Sequence, residues 1–496
     1  MKRTTGVCLV MAFLFLAGPA ASAQEGWSAE LAAKVDKVFA GMDKPTSPGC
    51  ALAAVRDGRV VYARGYGMAN LDHDIVITPS TVFHVASVSK QFTAAAILML
   101  AGEGKLSLDD DVRKHIPELP DFGTTITIRH LIHHTSGLRD QWELLILAGW
   151  RYSLDLITDD DVLQVMSRQK DLNFRPGAEH LYCNTGYTLL ATIVKRVSGQ
   201  TFREFTSARL FKPLGMTRTF FRDDHAEIIK AQAYGYVPNG DAFKLSVTNF
   251  DTAGATSLHT TVEDLALWDR NFYDGRVGGQ ALLVDLLKKG VLGNGEELPY
   301  ASGLVHGTYR GLATVGHGGA DAGYRSDFVR FPTERFSVVC LCNLSTSNPG
   351  ELTRRVADIV LEGKLGPAPA QPAADDRPVI ALTAEELTRY EGLYCQRGTE
   401  NYRKLVARNG TIETVWGQYG TALRTVGRGL FAGRTTDLFV EAGADGRRRL
   451  TETVRGSTVK PVVFEAVDLY APTPAQAAEY TGIYHSEEIE PAYRVE

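Results

Sequence analysis

"HVASVSKQFTAAAILML" (His84–Leu100) sets Ser87 three residues before Lys90 at the mouth of an apolar run. The spacing alone is cheap. Two other Ser-x-x-Lys matches occur, Ser167 to Lys170 in "SRQK" and Ser457 to Lys460 in "STVK". A chain of 496 residues holds about two by chance. Context separates the three. Ser457 lies in strand-like sequence, where positions three apart point to opposite faces. Ser167 closes "DDDVLQVMSRQKDL", a polar helix end that leaves Lys170 to solvent. Ser87 alone opens a helix of small apolar residues. There the i and i+3 side chains share one face, and the helix start offers free N–H groups beside the serine.

That geometry has a chemical use. A serine hydroxyl is a weak nucleophile until a base takes its proton. A free lysine, with pKa about 10.4, is neutral in fewer than about one molecule in a thousand at pH 7. Burial favours the neutral amine, and "AAAILML" supplies the burial. From this stretch alone, a serine N-cap with an unrelated lysine remains the rival reading. Two further stretches bear on it. "HLYCNTGYTLLATIVKRVSG" places Tyr182 and Asn184 just before a second apolar helix. "VGHGGADAG" is a strand carrying His317, with Gly318 and Gly319 beside it, and glycines there let a backbone approach a ligand closely.

The rest of the chain sets bounds. Its length calls for two or three domains. With 44% hydrophobic and 22% charged residues it reads as globular, neither disordered nor a repeated membrane spanner. A net charge of −5 without a long basic run gives no reason to expect a nucleic-acid partner. Lys2 and Arg3 precede "VCLVMAFLFLA" (Val7–Ala17) and "GPAASAQ", in which Ala21-Ser22-Ala23 has the small-x-small form of a cleavage site. The apolar stretch is too short for a permanent anchor. We expect a signal peptide over 1–23, cleavage near Ala23, export to the periplasm or medium, and no membrane span thereafter. The retained-anchor reading is the rival.

Five cysteines then remain: Cys50, Cys183, Cys340, Cys342 and Cys395. An odd number leaves at least one free thiol. Cys340 and Cys342, two apart on a strand, are badly placed to pair with each other. The spacing gives neither a disulfide framework nor a Cys-x-x-Cys metal site. His130, His133 and His134 lack the glutamate that would complete a zinc motif, so no metal and no cofactor are expected. Cys183, between Tyr182 and Asn184, is expected to face away as a structural thiol. A Gly-x-Ser-x-Gly elbow is also missing, which removes support for an alpha/beta-hydrolase.

Residues 29–41 have helical spacing, and 49–67 read as a hairpin turning at Asp57-Gly58. Beta character returns over 312–343, with a turn at Pro332, and a helix follows over 351–363. A single sheet built from both ends, with a helical lobe between, satisfies this order. "GKLGPAPAQPAADDRP" (Gly363–Pro378) marks a linker over 364–378. An antiparallel beta domain is expected over 379–471. "LTAEELTRYEGLY" recurs as "PTPAQAAEYTGIY", so 472–496 either closes the first unit or opens a second; the second reading is slightly favoured.

Taken with "ITIRHLIHHTSGL", "FRPGAEHLYCNTGY" and "LFKPLGMTRT", the three active stretches resemble the serine beta-lactamase and penicillin-binding-protein superfamily. The branch is the class C-like one, with D-aminopeptidases, D,D-peptidases and family VIII esterases. The resemblance covers about residues 30–363; the tail resembles lipocalin-like barrels. It implies an α/β (α+β) beta-lactamase/transpeptidase-like fold over 24–363: an antiparallel sheet flanked by helices, plus a helical lobe. It further implies that Ser87 is acylated, that Lys90 is its base or relay, and that Tyr182 passes the leaving-group proton, with a phenolate favoured by nearby cations. Asn184 would hold the substrate carbonyl or side-chain amide. Gly319 sits in the strand beside the N–H groups of Ser87 and Ala320, which would form the oxyanion hole.

His317 departs from the pattern. Beta-lactamases carry lysine there, a permanent cation for the substrate carboxylate. A histidine with pKa near 6.5 is charged in only about a quarter of molecules at pH 7. The expectation is therefore an ester or amide hydrolase of peptidase or carboxylesterase type. A true beta-lactamase is one alternative, and a non-catalytic penicillin-binding-like sensor or scaffold is the other. The oligomeric state is not legible.

Overall fold

Cys50–Arg56 and Arg59–Tyr66 pair antiparallel around Asp57 and Gly58, both at positive φ (52° and 70°). That is the conformation an Asp-Gly hairpin turn requires. The computed structural model describes residues 27–152, 154–367, 377–397, 401–416, 419–433, 436–443, 446–455, 460–468 and 473–495. The expected signal peptide, the core of the linker and Ser457 lie outside these.

The hairpin forms one side of a six-stranded antiparallel sheet. Its order is Val305–Tyr309, Leu312–Asp321, Tyr324–Phe331, Phe336–Cys342, Cys50–Arg56, Arg59–Tyr66. The two ends of the segment meet where Cys50–Arg56 lies against Phe336–Cys342, as the order of elements had implied. Because strand side chains alternate, Ala51, Ala53, Val55, Val339 and Leu341 join the main core. The helices Ala29–Phe39 and Pro349–Val360 pack against each other, and the latter lies on Phe336–Cys342.

One expectation is corrected here. Cys50 stands opposite Cys342 in the sheet register and is disulfide-bonded to it across 292 residues of sequence. Cys183, Cys340 and Cys395 are free. The spacing of cysteines could not show a bond that depends on strands from opposite ends being neighbours.

The helical lobe centres on Lys90–Gly102 and Asn184–Ser198, packed side by side. Lys90 to Leu98 are all buried, so this helix is enclosed on every side, and its lysine with it. The loop after Phe250–Asp251 passes over both helices at Gly254. There φ is +102°, and a Cβ would lie 2.4 Å from the Tyr187 carbonyl oxygen. Only glycine fits that crossing.

The described residues fall into two compact units, one ending at Lys364 and including Ser486–Pro491, the other spanning Leu365–His485 and resuming at Ala492. In the second, eight antiparallel strands from Gly392–Cys395 to Val462–Val467 close into a barrel filled by Tyr394, Leu405, Ile412, Phe431, Leu450 and Phe464. Closure is complete without residues 473–495. Those repeat the barrel's opening move. Thr383 caps Ala384–Thr388 and Thr473 caps Pro474–Ala478, each through a capping box. The Tyr394 hydroxyl donates to the Tyr390 carbonyl at 2.8 Å, and Tyr484 does the same to Tyr480 at 2.9 Å. The second copy forms its own hairpin, Gly482–His485 with Ala492–Val495. Tyr394 is buried, whereas Tyr484 is 48% exposed. Among the described residues no helix is long and apolar enough to cross a membrane.

Candidate active site

The turn Ala86–Ser89 delivers Ser87 to the start of the Lys90–Gly102 helix. Ala86 holds φ at +48°, a region costly for any side chain and tolerated where surrounding structure over-determines it. Ser89 supplies the constraint. Its hydroxyl donates to the Ala86 carbonyl at 2.5 Å and accepts the Leu258 N–H at 3.1 Å. The Val85 N–H donates to Leu258 O at 3.0 Å, which straps the turn to a neighbouring strand. Ser87 itself is left partly exposed.

Lys90 is 0% exposed. Its Nζ lies 3.1 Å from Ser87 Oγ, 2.9 Å from Asn184 Oδ1 and 2.8 Å from the Ala255 carbonyl oxygen. Burial pushes its pKa down to about 7, against the pull of Asp140, Asp321 and Cys183. A neutral amine has two N–H groups and one lone pair. The two pure acceptors, Asn184 Oδ1 and Ala255 O, use the N–H groups and leave the lone pair for the Ser87 hydroxyl. The sequence expectation of a buried, depressed lysine is met.

Tyr182 and Asn184 arrive from the start of the Asn184–Ser198 helix. The Tyr182 hydroxyl is near enough to Ser87 for that side chain to draw its pKa downward, and the Lys90 Nζ sits 4.8 Å from its ring centre. Burial raises the phenol above its ordinary value. The expected phenolate is therefore corrected: with Lys90 depressed, no permanent cation offsets the burial, and Tyr182 is held as a neutral phenol. Asn184 is gripped by Asp140, which accepts its backbone N–H at 2.6 Å and its side-chain amide at 2.9 Å. This leaves Oδ1 toward Lys90.

The third wall is Leu312–Asp321. Gly319 passes so close to the Ser87 turn that a Cβ there would lie 2.3 Å from Val85 O and 2.4 Å from Ser326 Oγ. His317 contacts Gly318 O through Nδ1 at 2.5 Å and the Tyr300 hydroxyl through Nε2 at 3.4 Å. A carbonyl only accepts, so Nδ1 carries the proton. Burial, then Lys90, pushes the His317 pKa down to about 4. It is neutral at physiological pH, further from a fixed cation than its ordinary pKa implied.

The other serines separate clearly. Ser167 Oγ donates to the Gln164 carbonyl, and Lys170 is 61% exposed and paired with Glu487. Cys183 is buried, its thiol donating to Leu138 O at 3.3 Å and pushed up to about 12 by burial, so it is structural as expected. His130 caps its own helix. His134 does more than pack: it lies 4.2 Å from the Tyr182 ring and its Nδ1 accepts the Cys183 N–H at 3.1 Å. None of these histidines belongs to a cluster of ligand-type side chains; among the described residues the clusters are Asp224/His225/Asp251 and Cys50/Cys340/Cys342, the latter with two of its three sulfurs joined in the disulfide.

Asp140, Tyr300 and the Ala86 turn were missed by sequence reading, which had named His134 only as a non-ligand. Asp140 offered one signal, its place just after "HTSGL", but nothing local tied it to Asn184, 44 residues on.

A serine bonded to a buried lysine of lowered pKa, with a tyrosine and an asparagine on the opposite wall, is a constellation that suits a serine hydrolase. The sequence family described as Beta-lactamase matches residues 35–361, more than half of the chain, and the chain belongs to it. It is 29% identical over 371 residues to a D-aminopeptidase of Gluconobacter oxydans (strain 621H), covering 74% of this chain and 68% of that protein. It is 30% identical over 365 residues to a penicillin-binding protein of Bacillus subtilis (strain 168), covering 70% and 79%. The fold superposes on that of an octameric penicillin-binding protein homologue from Pyrococcus abyssi with a TM-score of 0.61, at 23% identity over 88% of this chain and 98% of that one.

Proposed function

We propose that this serine hydrolase forms an acyl-enzyme on Ser87 and cleaves esters or amides whose acyl part carries no carboxylate anchor. D-amino-acid peptides and simple carboxylic esters are the classes that fit. Neutral Lys90 accepts the Ser87 proton as Oγ attacks the carbonyl carbon. The N–H groups of Ser87 and Ala320 receive the oxyanion, each worth about 3–4 kcal/mol of transition-state stabilisation. Neutral Tyr182 protonates the leaving amine or alkoxide and is reprotonated from the Lys90 ammonium. Water then attacks the ester carbon, Lys90 takes its proton and passes it to Ser87 Oγ as the acyl–oxygen bond breaks, and the acid leaves. Asn184 orients the acyl group.

The observation that carries this reading is the fully buried Lys90 amine 3.1 Å from Ser87 Oγ. The substrate class rests on neutral His317 and is supported by the relatives named D-aminopeptidase. Export to the periplasm or medium belongs to the proposal through the N-terminal sequence. A fluorescent fluorophosphonate should label the wild type and leave Ser87→Ala dark; equal labelling of both would overturn acylation at Ser87. A panel of p-nitrophenyl esters, D-amino-acid anilides and nitrocefin then resolves the substrate. Rapid nitrocefin turnover would contradict the argument from His317.

A further inference from the structure

Lys90 is held from behind by a carbonyl, and that carbonyl is itself held. Ala255 O accepts from Nζ at 2.8 Å, and the next residue, Thr256, donates its hydroxyl to Asp321 Oδ2 at 2.8 Å. Asp321 is the last residue of the His317 strand, one position beyond Ala320. Its other oxygen accepts the Tyr152 hydroxyl at 2.6 Å. His84 Nε2 lies 2.8 Å from Thr256 Oγ1 and 3.3 Å from Asp321 Oδ2. His84 is wholly enclosed and driven to about pKa 3 by burial, so it is a neutral neighbour. A buried carboxylate thus ties together the loop that holds the base and the strand that carries the oxyanion N–H. Thr256 and Tyr152 lie outside the motifs that mark the site, while His84 and Asp321 lie at the edges of two of them, with no role read for either from the sequence.

We infer that Asp321 is a positioning residue of the hydrolysis: its buried carboxylate, gripped by Thr256 and Tyr152, fixes the Ala255 carbonyl on Lys90 and supplies one of the two carboxylate charges facing that amine. The inference rests on the acyl-enzyme reading above. The second carboxylate is Asp140, reaching Lys90 from beneath Asn184. The remaining titratable groups around Lys90 are neutral at pH 7. From the segment leading into the Asn184 helix come Tyr182 and Cys183, and from the helix itself Tyr187, with its ring 5.6 Å from Nζ. His134 and His317 face it from the other walls, both with lowered pKa. Ser87 and Asn184 complete the shell. Asp321 is itself pushed up by burial and drawn back by its Tyr152 and Thr256 donors, which is the balance that makes those two hydroxyls matter.

Two effects separate positioning from mere support. Removing the negative charge makes the Lys90 ammonium easier to deprotonate. Asp321→Asn should therefore move the acidic limb of kcat/KM to lower pH by about half a unit, roughly a threefold change in the pH 6 to pH 8 activity ratio. An unmoved limb, or one shifted upward, would overturn the electrostatic part. Thr256→Val cuts the tie while keeping the charge. It should lower kcat about tenfold with KM within twofold, and Thr256→Ser, which restores the hydroxyl, should recover most of that loss. Equal defects in the two Thr256 variants would overturn the positioning part, including where Asp321→Asn fails to fold. Activity that survives Ser87→Ala would instead sink the acyl-enzyme reading on which this inference stands.

Discussion

Ser87-x-x-Lys90 and Ser167-x-x-Lys170 are the same four-residue pattern, and the structure places both on or beside helices. Their lysines differ completely. Lys90 has no exposed surface and three polar partners; Lys170 is 61% exposed and forms an ion pair with Glu487. Burial pushes Lys90 down to about 7, while Glu487 holds Lys170 above its ordinary value. The serines differ to match: Ser87 faces an amine that can take its proton, whereas Ser167 donates to the Gln164 carbonyl. The spacing puts two side chains within reach, and desolvation decides whether one can act on the other.

The sharpest way to break this contrast is to remove each lysine. Lys90→Met should lower kcat/KM about a thousandfold for an activated ester, within the range found for loss of a positioned base. Lys170→Met should leave it within twofold. Comparable losses would mean that burial is not what distinguishes the pair. Next in size is Tyr182→Phe, which keeps the ring over Lys90 but deletes the proton carrier. A loss of about a hundredfold is expected for amides, whose leaving group needs the proton. Esters with a good leaving group such as p-nitrophenolate should suffer much less; equal losses for both would count against leaving-group protonation.

The smallest effect concerns the substrate. His317→Lys places a permanent cation where a neutral imidazole stands. It should improve kcat/KM for carboxylate-bearing substrates about tenfold relative to their methyl esters, as one charge-assisted hydrogen bond allows. An unchanged ratio would mean that His317 does not face the acyl group's far end.

Much of the site was legible because it is written in short segments. Ser87, Lys90, Tyr182 and Asn184 each sit at a helix start followed by an apolar run, and the Asp57-Gly58 turn announced its hairpin. His317 and Gly319 came from a glycine-rich strand. What could not be read depends on residues far apart in sequence. Asp140 grips Asn184 across 44 residues, and Thr256 meets Asp321 across 65. Cys50 finds Cys342 only once the two ends of the sheet are neighbours. The left-handed φ of Ala86 had no glycine to flag it. The phenolate expected at Tyr182 failed for a related reason. Nearby cations were expected to favour it, but the burial that lowers the Lys90 pKa leaves no permanent positive charge beside Tyr182, whose own pKa burial raises.

The neutral lysine is best tested through the pH dependence of acylation itself. Fluorophosphonate inactivation of the wild type, followed as a rate from pH 5 to pH 10, isolates the first proton transfer. Lys90 is the base only when deprotonated, and its pKa is lowered, so the rate should be small at pH 5, rise through a midpoint near 7, and level off above about pH 8. The rate at pH 5 should be about a hundredfold below the plateau. A rate still climbing at pH 10, as an ordinary solvated lysine would give, or one independent of pH, would contradict it.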